Sequence, residues 1–305
     1  FGVRGANGVI IINTKKGSIG KPKIRVEYNF GVTDFTKVPE LADGITYMTA
    51  ANEAYTTRGK DAVYDNTYVT KTISGEDPYL YPNVNWFDEL FTKMGTTQNA
   101  SISVNGGTEN VQYYVSASMY NETGQLTTDD SQTFDSSLRY KRFNVNSNVN
   151  MKITKTTDLK VNVKVMVGDS NKPKNGASAP FSDAMNMPPI QMPVRYPGGE
   201  IPWISTGGGL MNPWAELTQT GFASDVQSKV MADMTINQKL DFLLKGLNLR
   251  ALFAYDTYNR SWLNREKGYD TYWAEGRDEN GELILTQTNT SGRTSPYPTT
   301  SGGST

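Results

Sequence analysis

Cysteine and histidine are both missing from the 305-residue chain. Without cysteine there are no disulfides, thiolate zinc sites or thiol nucleophiles, and without histidine the commonest general base and metal ligand is lost as well. The remaining carboxylates, such as Asp129 beside Asp130 or Glu275 near Asp278, have no spacing typical of a catalytic pair. We therefore expect neither an enzyme nor a protein with a bound metal or cofactor.

Long apolar runs and an excess of one charge are also absent. The longest apolar stretch covers only residues 9–12, far short of the ~18 residues that suggest a membrane-spanning helix. Lysine and arginine number 30 against 31 for aspartate and glutamate, so no charge excess indicates nucleic acid. The sequence excludes a helical membrane protein and predicts no nucleic-acid partner.

Alternation of apolar and polar residues is the strongest pattern that the sequence does contain. Within residues 23–32, Ile24, Val26 and Tyr28 lie on one face of a strand, opposite charged and amide side chains. Further segments repeat this pattern, and one of them has an almost pure asparagine face. Seven strands are predicted, over residues 23–32, 100–104, 111–120, 142–153, 159–167, 230–239 and 247–256.

Strand length favours a membrane barrel over a soluble sheet. Globular strands cluster near ~5–6 residues, whereas a tilted strand needs ~9–11 residues to span a bilayer, and most of the predicted strands reach that length. Short and long connections also alternate, as they do between the tight periplasmic turns and long outer loops of such barrels. The short connections cover residues 106–110, 154–158 and 241–246, and the long ones cover residues 35–95, 121–138, 169–227 and 261–305.

The long connections contain the candidate binding residues. An amphipathic helix capped by Asp43 is predicted in the first connection, and a short helix over residues 86–91. In the third connection, Trp203 and Trp214 carry flat rings that could stack on a ligand, with Tyr196 and Asn212 as hydrogen-bonding neighbours. The alternative is that these four residues pack the connection together.

The opening residues 1–17, FGVRGANGVIIINTKKG, carry a family resemblance. This stretch resembles the end of the plug domain in TonB-dependent transporters of the SusC/RagA type, and residues 86–91 and 212–213 extend the similarity. The motif residues are Gly2, Arg4, Gly5, Asn7 and Gly8. Their glycines permit tight turns, and we expect the motif to shape the plug, although direct ligand contact is the alternative.

The resemblance implies an all-β fold: a partial transmembrane antiparallel β-barrel of about seven strands, preceded by the C-terminal end of a plug. Residues 1–20 would be the plug end and residues 21–305 the first part of the barrel, so we expect a fragment of a longer protein. Asn144, Asn146, Asn148 and Asn150 would face the lumen, where they could line a hydrated path or, as we expect, bond the plug or water.

The function implied by the family is active import of a bulky nutrient, a glycan or an oligopeptide, across the outer membrane. Its partners would be a SusD-like surface lipoprotein, a TonB complex that contacts segments outside this chain, the ligand itself and outer-membrane lipid. Two alternatives remain at this point. A passive outer-membrane porin would lack the plug, and a secreted glycan-binding β-sandwich would have shorter strands without alternating connections.

Overall fold

A computed structural model describes residues 14–92, 94–204, 211–289 and 299–304. The predicted plug motif, Gly2, Arg4, Gly5, Asn7 and Gly8, lies outside the described residues. Within those ranges, no helix is both long enough and apolar enough to cross a membrane.

A single antiparallel sheet of eight strands dominates the described part of the chain. All seven predicted strands are confirmed, and most extend further than the sequence pattern suggested because their ends lack strict alternation. An eighth strand joins the far edge of the sheet. In spatial order, the strands are β1 (Gly20–Thr33), β2 (Gly95–Gly107), β3 (Val111–Thr123), β4 (Arg139–Lys152), β5 (Thr157–Pro173), β7 (Gly221–Lys239), β8 (Asn248–Glu266) and β11 (Thr299–Ser304).

The register gives the sheet one continuous apolar face. Pairing aligns apolar side chains in lateral rows, because each strand meets its neighbour with the same alternation. One such row runs Val26, Ile102, Ala117, Val145, Val165 and Val230. Val26 is 70% exposed, so this face is not covered by protein in the described residues. An outward apolar face on long tilted strands is the form that a bilayer requires.

The opposite face is polar and holds the segment that precedes β1. Asn148 is buried, and its amide donates to the backbone oxygen of Lys15 at 2.6 Å. The Asn105 side chain accepts from the backbone nitrogen of Ser18 at 3.0 Å. Gly17 crosses so closely that a Cβ there would lie 2.2 Å from the backbone nitrogen of Tyr113. Within the asparagine row, Asn148 bonds this segment, whose assignment to the plug stays a prediction.

Connections alternate between short and long, as predicted. The short ones, at residues 108–110, 153–156 and 240–247, lie at one end of the sheet, and the long ones leave from the other end. The predicted partial barrel sheet is therefore confirmed.

Helices in the described residues occupy only the long connections. The two predicted helices are confirmed, and Asp43 caps the first by accepting from the backbone nitrogen of Thr46 at 2.8 Å. Three others were not predicted, since they are short. The five are α1 (Gly44–Thr56), α2 (Asn66–Ser74), α3 (Trp86–Leu90), α4 (Ala179–Asn186) and α5 (Pro213–Thr218).

A second, three-stranded sheet lies within these connections. It comprises β6 (Ile201–Pro202), β9 (Thr271–Arg277) and β10 (Leu283–Asn289), with β9 in the centre. The sequence pattern predicts only a long connection after residue 261 and does not reveal β9 and β10, because neither strand has a repeated apolar face. The long connections thus form an ordered body, here called the loop unit, over described residues of 34–94, 124–138, 174–220 and 267–289.

The loop unit has its own apolar core. Helices α3, α4 and α5 meet there and contribute the largest side chains to it. The buried members are Trp86, Phe87, Leu90, Phe91, Leu126, Ala184, Met187, Met192, Ile201, Trp214, Ala215 and Leu217. Because these residues come from three separate connections, the core fixes the connections to one another above the sheet.

Replacing Val145 by arginine puts a charge in the middle of the apolar face. We expect the whole protein to lose roughly 2–4 kcal/mol of stability in lipid vesicles, because the charge must leave water for hydrocarbon. Urea unfolding followed by heat-modifiable gel migration measures the loss. The matched control is Asn144→Arg on the opposite face, and equal losses for both variants would mean that the Val145 face does not contact lipid.

Candidate ligand-binding site

Asn212 joins two segments of the loop unit instead of facing an open surface. Its side chain is 0% exposed and caps α5 by accepting from the backbone nitrogen of Ala215 at 3.0 Å. Its amide nitrogen donates to the backbone oxygen of Val194 at 2.9 Å. Both ends of the side chain are therefore occupied within the protein.

Trp214 and Tyr196 are also buried in the loop unit. The guanidinium of Arg195 lies 5.2 Å from the centre of the Trp214 ring, within the range of a cation–π contact. The Tyr196 hydroxyl accepts from the backbone nitrogen of Ala274 on β9 at 2.9 Å. Burial raises the pKa of this phenol above its usual range. The Tyr196 hydrogen bond holds β9 against the third connection.

Trp203 differs from these three residues because its side chain is only partly buried. Its backbone pairs with β9 and β10, donating to Tyr272 and accepting from the Thr288 hydroxyl. Its indole nitrogen is buried without a hydrogen-bond partner among the described residues. The predicted ligand contact of all four residues stays a prediction, and in this structure they pack the loop unit.

A cleft of about 270 Å³ opens beside Tyr196. Its walls are unusually aromatic, with Tyr64 and Tyr68 from around α2, Tyr79, and Trp273 from β9. The rings of Tyr64 and Tyr68 are 6.0 Å apart. The sequence does not predict that these aromatic rings line one cleft, because they come from connections that are far apart along the chain.

An ion pair closes the loop unit between its first and last connections. Arg277 on β9 donates from Nε to Oδ2 of Asp77 at 2.5 Å and from Nη2 to Oδ1 of Asp77 at 3.1 Å. The hydrogen bonds from Arg277 hold the pKa of Asp77 below its usual range, against the opposing effect of burial. This forked pair fixes β9 to the segment after α2.

The polar face of the large sheet carries a second candidate site near the long connections. Register places the side chains of Glu122, Tyr140, Ser170, Asp225 and Trp262 in one lateral row. The adjacent row, one step nearer the short connections, contains Tyr120, Arg142, Gly168, Gln227 and Arg260. We call Tyr120, Tyr140, Arg142, Asp225, Arg260 and Trp262 the rim band.

Neighbouring contacts orient the polar groups of the rim band. Arg260 donates from Nε to Asp225 at 2.7 Å, and Gln227 donates to the same carboxylate at 3.1 Å. On the other side, the Tyr120 hydroxyl donates to Glu122 at 2.8 Å. The band therefore offers aromatic rings and hydrogen-bonding groups that are already held in place.

Sequence reasoning missed the rim band because its members look like ordinary alternating polar residues. They lie on the four strands β3, β4, β7 and β8, and only the register aligns them. Within the described residues, no group of three or more carboxylates could hold a metal ion.

Similarity to known proteins supports the same architecture. The chain is 35% identical over 141 residues to TonB-dependent receptor P26 of Formosa agariphila, which covers 44% of this chain and 13% of that protein. Identity is 27% over 229 residues to TonB-dependent receptor P3 of the same organism, a match that covers 72% of this chain and 20% of that protein. Identity is also 27% over 222 residues to TonB-dependent receptor SusC of Bacteroides thetaiotaomicron, a match that covers 70% of this chain and 19% of that protein.

This chain is related to TonB-dependent receptors of the SusC/RagA type. Two structures of the RagAB peptide importer, in closed-closed and open-open states, match its fold with TM-scores of 0.65 and 0.63 at 16% and 17% identity. Each match covers 87% of this chain and 31% of the other chain. No protein-family model matches. The chain spans about a fifth or less of the length of these curated relatives.

Asn212→Ala tests the role of Asn212 as a tie within the loop unit. The substitution leaves buried backbone groups without partners, so local stability should fall by about 1–3 kcal/mol. Trypsin cleavage after the exposed Arg195, next to the bonded Val194, should become about tenfold faster or more. Asn186→Ala, at an exposed position, is the control; unchanged cleavage in Asn212→Ala would contradict this role.

Acid should loosen the attachment of β9. The pKa of Asp77 is lower in the folded protein than in the unfolded chain. Its contribution to the free energy of unfolding is therefore fully present above the unfolded pKa near ~3.9, and it is lost as the pH falls through the lowered folded pKa. Pepsin digestion of the whole protein from about pH 4 to about pH 2 should reveal increasing cleavage around β9. In Asp77→Asn, cleavage should already be high and vary less with pH; an identical profile to the wild type would count against the pair.

Proposed function

We propose that this chain belongs to an outer-membrane transporter that actively imports a bulky nutrient, with energy supplied through TonB. The observation that carries the proposal is a two-faced sheet whose polar face binds the segment at residues 14–18. An apolar face suits lipid, while a polar face occupied by the chain's own backbone suits a lumen with an internal plug. Receptor relatives with TonB dependence in their names support the energy source.

The proposal includes the division of the chain. Residues 1–20 would form the end of the plug, and residues 21–305 the first part of the barrel with its outer loops. The bonds from Asn148 and Asn105 support this boundary, because the segment before β1 lies across neighbouring strands instead of joining their ladder.

The nutrient would be a glycan or an oligopeptide. The fold match named RagAB peptide importer is compatible with an oligopeptide, and the glycan is the other class that the sequence resemblance implies. Within the loop unit, Trp203 and Tyr196 are the proposed ligand contacts, since Trp203 is partly exposed and Tyr196 lines the aromatic cleft. Trp214 and Asn212 would act indirectly, by holding that surface in shape.

A SusD-like surface lipoprotein is the proposed partner of the loop unit. A folded surface with its own core can present a constant shape to a partner, unlike a set of independent loops. The other proposed partners are the TonB complex, through segments outside this chain, and outer-membrane lipid along the apolar face. We propose no enzymatic activity.

Uptake measurements separate active import from a passive porin. Cells that carry the whole protein should accumulate a labelled candidate nutrient, and a proton uncoupler or deletion of TonB should abolish that accumulation. Accumulation that continues unchanged under both treatments would establish the passive alternative. A whole protein that stayed soluble without detergent would instead favour a secreted β-sandwich.

A further inference from the structure

The turn between β7 and β8 differs in composition from the other short connections. The connection over residues 108–110 has the sequence TEN, and the one over residues 153–156 has the sequence ITKT, so both are mostly polar. Residues 240–247 instead read LDFLLKGL, with five apolar side chains in eight positions. A connection that faced only water would have no use for so many large apolar side chains.

Three of these apolar side chains lie uncovered in the middle of the turn. Phe242 is 77% exposed, Leu243 67% and Leu244 66%. We call these three residues the apolar tip. Contiguous exposed side chains of this size mark a surface that contacts a membrane or another protein.

The backbone of the turn bonds to itself, as a segment at the edge of a bilayer must. The backbone nitrogens of Leu243 and Leu244 both donate to the backbone oxygen of Leu240, at 2.9 and 3.1 Å. The backbone nitrogen of Gly246 donates to the carboxylate of Asp241 at 2.8 Å. Because hydrocarbon cannot replace water as a hydrogen-bonding partner, these internal bonds lower the cost of moving the turn out of water.

The apolar tip continues the exposed apolar face of the large sheet. On that face, Ile236 of β7 pairs with Ala251 of β8. Phe253 and Leu249 follow the same alternation on β8 and are exposed, and Leu247, also exposed, continues it into the turn. The apolar surface therefore extends past the end of the strands instead of stopping at their last residues.

Exposed lysines surround the apolar tip. Lys245 lies within the turn, and Lys239 directly precedes it. The backbone nitrogen of Lys239 donates to the backbone oxygen of Thr156 at 2.8 Å, which places the turn beside the short connection that carries Lys155. Asp241 is the one carboxylate in residues 240–247. Apolar side chains bordered by cations suit the boundary of a leaflet, where acyl chains meet anionic phosphates.

We propose that the apolar tip inserts into the phospholipid leaflet that faces the periplasm, with Lys245 at the level of the lipid phosphates. The leaflet follows from the connection lengths, since the short connections of outer-membrane barrels lie on the periplasmic side. Insertion fixes the depth of the β7–β8 hairpin in the membrane, in addition to the contact that the strands themselves make. This inference rests on the proposed location in the outer membrane.

Spin labelling measures the depth of the apolar tip. This chain has no cysteine, so a nitroxide on Leu243→Cys reports on that position once any cysteine elsewhere in the whole protein is replaced. The whole protein is placed in vesicles of phosphatidylethanolamine and phosphatidylglycerol. Collisions of the label with oxygen, which enters hydrocarbon, are compared with collisions with a water-soluble nickel chelate present on both sides of the membrane.

We expect the oxygen-to-nickel collision ratio to be severalfold higher at Leu243→Cys than at Glu109→Cys. Glu109 is the matched control, because it is exposed in another short connection at the same end of the sheet. Adding Lys245→Glu should lower the ratio at Leu243→Cys in these vesicles, since the reversed charge repels anionic lipid. It should lower the ratio less in vesicles of phosphatidylcholine alone, and an equal effect in both would overturn the phosphate contact.

Two results would overturn insertion. A ratio at Leu243→Cys as low as at Glu109→Cys would place the apolar tip in water. A label that neither oxygen nor nickel reaches, even in detergent, would mean that another part of the whole protein covers the tip.

A label at Val145→Cys distinguishes failure of the insertion from failure of the proposed function. If Val145→Cys gives a high ratio and Leu243→Cys a low one, the insertion is wrong and the outer-membrane transporter stands. If both ratios are low, the apolar face does not contact lipid, and the proposed transporter is itself wrong.

Discussion

The common register of the long strands is the constraint on which this structure depends. With a side-chain period of two, a slip of one residue between neighbours would send apolar side chains to the polar face. From β1 to β8 the pairs keep the alternation in phase, so valine rows meet on one face and asparagine, serine and charged rows on the other. The exposed apolar face, the attachment of residues 14–18 and the rim band all follow from that phase.

The polar face is divided along the strand direction. Near the short connections it is rich in amides, which bond a backbone segment well because each amide both donates and accepts. Asn105 donates to the backbone oxygen of Lys16 and accepts from the backbone nitrogen of Ser18, whereas Asn148 donates to the backbone oxygen of Lys15. Toward the long connections the same face turns aromatic and charged, with Tyr140, Asp225 and Trp262 in one row. One strand set thus carries an amide surface that bonds the chain's own backbone and a separate aromatic and charged surface.

Sequence alone predicted the strands because their signal is local: each alternates by itself, and the turn lengths between them are read directly. It predicted α1 through the Asp43 cap, but not α4 or β9, whose stability comes from contacts with distant connections. Asn212 was singled out for hydrogen bonding, and it does bond, although to its own chain. The rim band could not be predicted because its rows depend on the pairing of residues up to 59 positions apart, as between Gly168 and Gln227.

The pair between Asp77 and Arg277 has a consequence for the order of folding. Its partners are separated by 200 residues, and closing so large a loop in an unstructured chain carries an entropic cost that adjacent hairpins avoid. Hairpins such as β2–β3 and β4–β5 connect through a few residues and can form first. Once these hairpins have formed, the sheet brings the two distant connections close together. The loop unit therefore folds last, on a sheet that has already assembled.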